Sequence, residues 1–295
     1  MKMQETGRLI DTIAQTRLER RNFLTRAGMV GLGAAATLTL GSKQAFGAES
    51  ATERAQEKAQ AMDTVKEIFT AALIAEDLAT TFYYNALVGP VIQDVNLAGP
   101  GGSANNVQSN GNAGNVQYVQ AALTEEIAHA DLFRSLLGIS VPAADPVQTF
   151  YFPAGAFDTL AGFTGLLDAL ENAFIGAYLN AIQEFAVKSA HTDDGDGNKY
   201  TAEQLDYFAK VAATIMGIEC EHRVLGRVIS NSNPANNLAY EQTDGLNAVY
   251  NGPKSAVAAL TPFLTPSTGP GYSLATALAK QGTVSIAVMG HPPAF

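Results

Sequence analysis

The sequence predicts an all-α protein: a four-helix bundle with a long crossover between its second and third helices, followed by an irregular C-terminal extension. Three observations lead there. Four long segments repeat their apolar residues at helical spacing, and none alternates in the manner of a half-buried strand. Two of those segments carry the same Glu-x-x-His pair on their apolar face, Glu126 with His129 and Glu219 with His222. The composition, 47% hydrophobic and 16% charged over 295 residues, belongs to a folded chain and excludes wholesale disorder.

The first helix is expected from about Asp63 to Val88, where Thr64 and Glu67 form a capping box and Gly89-Pro90 ends the run. The second is expected from about Val116 to Leu137, opening after Asn115 and closing at Gly138. The third spans about Thr159 to Ala190 with Asp158 as its N-cap. The fourth spans about Ala202 to Ile229, with a second capping box at Thr201 and Gln204. The bundle therefore covers residues 63–230 and the C-terminal extension 231–295, with short helices expected at 253–264 and 273–280. The connection 89–115 is rich in Gly, Asn and Ser and lacks an apolar pattern, so it reads as a functional or mobile loop. The connection 138–158 holds the best strand candidate, VQTFYFP at 147–153, whose aromatics are expected to cover a bundle face. The stretch HTDDGDGNKY spaces Asp194, Asp196 and Asn198 like a calcium loop. Lys199 stands where that loop needs glycine and Leu205 where it needs a bidentate Glu, so a polar turn is expected, with His191 in solvent.

The start of the chain reads as an address. Arg20 and Arg21 precede Phe23 and Leu24, a Gly/Ala-rich apolar run follows to about Gly41, and Ala45 and Gly47 suit a cleavage site before Ala48. Residues 1–47 resemble a twin-arginine (Tat) export signal, and 48–62 form a lead-in. The apolar run is too short and too glycine-rich for a stable membrane anchor. Export by the Tat machinery to the periplasm or beyond is the expectation, and Tat substrates as a class cross folded, often with a cofactor loaded. The net charge of −10 disfavours nucleic acid and anionic membranes as partners. The single cysteine, Cys220, excludes an intrachain disulfide and a four-cysteine metal site, and is expected as a buried small apolar residue.

Residues three apart on a helix share a face, so the carboxylate and imidazole of Glu-x-x-His can reach one metal ion. The stripe through the first pair is Val119, Ala122, Glu126, His129, Phe133 and Leu136; that through the second is Phe208, Ala212, Ile215, Glu219, His222 and Gly226. Each remaining helix places one acid among apolar residues: Glu76 between Leu73 and Tyr83, and Glu171 between Leu167 and Tyr178. Four inward carboxylates carry four negative charges, which two divalent metal ions balance. The axial register agrees. At a rise of about 1.5 Å per residue, Glu76 lies ~18 Å before its helix end and Glu126 ~15 Å after its start, while Glu171 and Glu219 each lie ~27 Å from the ends that join them. The crossover has the length to span the bundle.

Glu76, Glu126-x-x-His129, Glu171 and Glu219-x-x-His222, in this order, resemble the ferritin-like superfamily, whose di-iron and di-manganese members use one Glu on each of two helices and Glu-x-x-His on the other two. With LENAFIGAYLNAI and the Tat signal, the chain looks like exported ferritin-like proteins related to desiccation and stress response. The resemblance implies that Glu126 and Glu219 bridge two metal ions, with Glu76 and His129, and Glu171 and His222, as terminal ligands. Tyr83 and Tyr178 lie about two turns from Glu76 and Glu171 and are candidates to support the ligands, or packing aromatics of the core. Carboxylate and imidazole suit Fe, Mn or Zn without choosing among them; the resemblance implies two metal ions, Fe first, then Mn, then Zn. The implied activity is oxidoreduction of O₂, H₂O₂ or Fe(II) as a ferroxidase, peroxidase or catalase; the alternative is a metal-binding stress protein or structural bundle without turnover. With one cysteine there is no rubredoxin-type site, so any electron donor is external, and oligomerisation is left open.

Overall fold

The computed structural model describes residues 63–190, 199–232, 256–266 and 268–286. The Tat-like segment, the lead-in and the calcium-loop-like stretch from 191 to 198 lie outside them. The four long helices are α1 (Val65–Val88), α2 (Ala113–Leu137), α3 (Leu160–Ser189) and α4 (Ala202–Ile229).

Their ends follow local chemistry. The Thr64 hydroxyl accepts from the Glu67 amide at 3.1 Å and Glu67 returns the bond to the Thr64 amide at 2.8 Å, completing the capping box. The same reciprocal pair, Thr201 with Gln204, opens α4. Two starts differ from expectation. α2 begins at Ala113 because Asn112, not Asn115, caps it; the Asn115 side chain instead donates to the Asn96 carbonyl at 2.8 Å. α3 is capped by Thr159, whose hydroxyl accepts from the Gly162 amide, not by Asp158. α2 ends at Gly138 with φ 72°, a left-handed conformation glycine adopts without penalty.

α1 packs on α2 and α3 on α4, while α1 also meets α3 and α2 meets α4, so the cyclic order is α1, α2, α4, α3. At Gly226 a Cβ would lie 2.6 Å from Leu167 Cδ2, so a larger residue there would have to displace the Leu167 side chain where α4 meets α3. The core falls into two apolar clusters. One holds the N-terminal part of α1, the C-terminal part of α2 and their counterparts on α3 and α4. In it Phe69, Phe133, Phe185 and Phe208, one from each helix, close the bundle, with Phe69 centred 5.8, 5.8 and 5.0 Å from the other three. The second cluster joins the other ends of the helices to both long connections and to the C-terminal extension.

The connection after α1 is ordered by its own hydrogen bonds, contrary to its composition. Pro90–Gln93 form a 3₁₀ turn, and Val91, Ile92, Leu97 and Ala98 are buried. The Asn112 amide donates to the Leu97 carbonyl and that of Gln108 to Ala98. The crossover contributes β1 (Thr149–Tyr151), which pairs antiparallel with β2 (Gly271–Ser273) of the extension. Phe152 packs against Phe82 of α1, Phe157, Phe263 and Tyr272. The extension continues the same core through α5 (Ala256–Leu260), a 3₁₀ turn at Thr261–Leu264 and α6 (Leu274–Lys280), burying Phe263, Leu264, Leu274 and Ala277. Residues 253–255 of the first expected short helix lie outside the described residues.

A buried ion cluster ties crossover to bundle. Arg134 of α2 donates through Nη2 to Asp77 of α1 at 2.5 Å, through Nε to Asp145 of the crossover at 2.8 Å, and through Nη1 to Asp131 at 2.8 Å. Two inward assignments are corrected. Leu136, counted on the inward stripe of α2, is exposed because the stripe has rotated off the core by the last turn. Cys220 is half-buried, on the flank of α4 beside the inward Glu219. Among the described residues no helix is long and apolar enough to cross a membrane.

Candidate metal centre

The polar groups singled out on the four helices meet at the seam between the two apolar clusters. Glu76 comes from α1, Glu126 and His129 from α2, Glu171 from α3, and Glu219 and His222 from α4. The longer α2 improves the register: counted from Ala113, Glu126 lies ~19 Å along its helix, close to the ~18 Å that separates Glu76 from the end of α1. All four carboxylates and His222 are buried, and His129 is 13% exposed.

These groups form two overlapping sets, Glu76, Glu126, His129 and Glu219, and Glu126, Glu171, Glu219 and His222. Within each set one ligand atom per residue lies within 4.8 Å of all the others. His129 Nδ1 is 3.2 Å from Glu76, 3.5 Å from Glu126 and 3.7 Å from Glu219. His222 Nδ1 is 2.9 Å from Glu126, 3.4 Å from Glu219 and 3.9 Å from Glu171. Glu126 and Glu219 are the two members common to both sets. Both oxygens of each, one of Glu171 and Nδ1 of His222 are buried without a well-formed hydrogen bond. A native core seldom leaves so many polar atoms unsatisfied at one point, and a cation supplies what they lack.

Tyr83 and Tyr178 do more than pack. The Tyr83 hydroxyl, on α1, donates to Glu171 on α3, and the Tyr178 hydroxyl, on α3, donates to Glu76 on α1. Each single-carboxylate helix thus orients the other's acid from two turns away. Replacing either tyrosine by Phe is expected to cost about 1–3 kcal/mol in the metal-free protein, because a buried acceptor loses its donor. Metal affinity should fall about tenfold. Thermal unfolding and metal titration of both variants measure the two effects.

Glu125 is the residue the helical stripe missed. Its Oε2 lies 2.8 Å from Nε2 of His222, the ring nitrogen facing away from the cluster, although its side chain is 41% exposed. A flank position beside an inward Glu carries no periodicity signal. Only the opposing helix shows that it faces a histidine.

The electrostatics record crowding. Burial, with Glu76 next, pushes Glu126 above the ordinary 4.5. Burial, with Glu126, does the same for Glu219. Glu171 rises well above that value through burial and then Glu219. Burial would lower both histidines, but Glu76 and Glu126 outweigh it at His129, and Glu125, Glu126 and Glu219 outweigh it at His222, so both stand well above 6.5. The sign is the same for acids and bases. The folded metal-free cluster binds more protons than the unfolded chain from about pH 4.5 upward. Its stability is therefore present at low pH and lost as pH rises through the raised values. The metal-free melting temperature is expected to fall as pH rises above about 5, and metal binding to release protons and tighten with rising pH. Thermal scans and calorimetry in buffers of different ionisation enthalpy check both.

Residues 64–195 match the family model of the ferritin-like domain. No curated protein and no solved structure matches the chain. The match ends before α4, so Glu219 and His222 enter the cluster through the geometry of the bundle. Four helices, the family match and a buried carboxylate–histidine cluster agree: this chain carries a ferritin-like domain, with a cluster that could hold metal ions.

Proposed function

We propose that the cluster is a dinuclear metal centre, iron first and manganese next, that is redox-active toward O₂, H₂O₂ or Fe(II) in stress defence outside the cytoplasm. The observation that carries this reading is that two ligand sets share Glu126 and Glu219, whose four buried oxygens have no well-formed hydrogen bond. In it, Glu126 and Glu219 would serve both ions, Glu76 and His129 would hold one, and Glu171 and His222 would hold the other. Two divalent ions cancel the four buried carboxylates, with both imidazoles neutral. An iron or manganese pair when bound supplies the two electrons that H₂O₂ needs for reduction to water.

The chain's own part is to position and to exclude. Tyr83 and Tyr178 hold Glu171 and Glu76 by hydrogen bonds and keep a proton within reach of each carboxylate. Phe69 with Phe133, Phe185 and Phe208 seals one end against water, and Phe82 with Phe152, Phe157 and Phe163 seals the other. With a single cysteine in the sequence, electrons come from an external donor. Export rests on the twin-arginine pattern at Arg20 and Arg21, and recovery of the processed chain from the periplasm in a Tat-dependent manner is its test.

The experiment for the reaction is consumption of H₂O₂ and aerobic oxidation of Fe(II) by the metal-loaded protein, compared with Glu126→Ala. Turnover lost in the variant supports the redox reading. Full metal loading with no turnover of either substrate overturns it and leaves a metal-binding stress protein or structural bundle.

A further inference from the structure

We propose that Glu125 makes the two metal positions unequal and sets the order in which they fill; this rests on the dinuclear reading above. The bundle is nearly two-fold symmetric in its chemistry: α1 and α3 each give a Glu and, two turns on, a Tyr, while α2 and α4 each give Glu-x-x-His. The symmetry breaks at one place. On α2 the residue before the shared Glu126 is Glu125, which meets His222 Nε2 across the bundle at 2.8 Å. On α4 the residue before the shared Glu219 is Ile218, which has no group to offer a histidine. No hydrogen bond from a described residue to Nε2 of His129 is present, and that ring is part-exposed.

The consequence is chemical. The Glu125 carboxyl oxygen accepts the hydrogen bond of Nε2–H, fixing His222 in the tautomer whose Nδ1 lone pair faces Glu126, Glu171 and Glu219. It holds the ring in place and strengthens the nitrogen as a donor. It also adds a further negative charge close to that half of the cluster. His129 has neither aid, and its ligand set is the one open to solvent, whereas all four residues of the His222 set are buried. The His222 position therefore fills first and holds its ion. The His129 position fills second, binds more weakly and exchanges with the medium. Glu125 is a positioning residue acting through His222.

The test is titration of the metal-stripped protein with Co(II), followed by visible absorption and by calorimetry. The wild type should show two steps separated by at least about tenfold in affinity. Glu125→Gln, which keeps an acceptor but removes the charge, should weaken the first step about 10- to 100-fold and leave the second nearly unchanged, closing the gap. Ile218→Glu, which gives α4 the missing acid, should strengthen the second step alone. Two identical steps in the wild type overturn the proposal, as does a Glu125→Gln variant that shifts both steps equally or neither, the pattern of a merely structural residue. Two equal, tight steps would leave the dinuclear reading standing; no cobalt binding at all would remove both.

Discussion

Glu126→Ala is expected to empty both metal positions at once. Glu126 is common to both ligand sets, with its oxygens turned to each histidine. Loss of a partner that only supports a ligand costs 10- to 100-fold in affinity, so loss of a shared ligand should exceed about 100-fold at both positions. Glu76→Ala or Glu171→Ala should strike mainly one position. The same variant should have the opposite effect on the metal-free fold. Glu126 is fully buried with two unsatisfied oxygens among three other carboxylates, so removing it relieves desolvation and repulsion. We expect metal-free Glu126→Ala to gain about 1–3 kcal/mol, or several degrees in melting temperature at this size. Metal content after dialysis and thermal unfolding with and without chelator read out both signs. A residue kept only for packing would lower stability in both states.

The second large effect is at Arg134, remote from any ligand role. Its guanidinium lies between Asp77, buried in α1, and Asp145, buried in the crossover, and burial followed by mutual repulsion already pushes Asp77 well above its ordinary range despite Arg134. Arg134→Ala leaves two buried carboxylates uncompensated, which costs about 3–5 kcal/mol and lowers the melting temperature by about 10 °C. Asp77→Asn combined with Asp145→Asn in the same background should recover part of that loss, because it removes the stranded charges. Thermal unfolding of the single and triple variants decides. Asp77 adjoins Glu76 in sequence, so this clamp also fixes the turn of α1 that presents the ligand.

The helices were legible because periodicity and caps are local. Thr64 with Glu67 and Thr201 with Gln204 name their helix starts, and the apolar stripes turn Glu76, Glu126, Glu171 and Glu219 inward whatever lies opposite. Less legible was what depends on a choice between neighbours. Asn112 and Asn115 both suit an N-cap, and the choice is made by Asn96, which takes the side chain of Asn115. The 89–115 connection looked patternless because its buried residues, Val91, Ile92, Leu97 and Ala98, follow a chain of turns and not a helical or strand period. Arg134 and Asp145 gave no signal, since a buried ion pair is defined by groups 11 residues apart and a third on another helix. Glu125 was hidden for the same reason: its partner, 97 positions away, comes into view only when α2 and α4 are placed side by side.

In the proposed centre, six side chains from four helices hold two metal ions that share Glu126 and Glu219. The most direct measurement is crystallography of the metal-loaded protein, with anomalous difference maps at the absorption edge of the bound metal. Two peaks about 3.5–4 Å apart are expected at the seam between the two apolar clusters, each within bonding distance of one histidine Nδ1 and of both shared carboxylates. A single peak, peaks elsewhere on the protein, or a fully occupied site that leaves His129 or His222 unligated would contradict it.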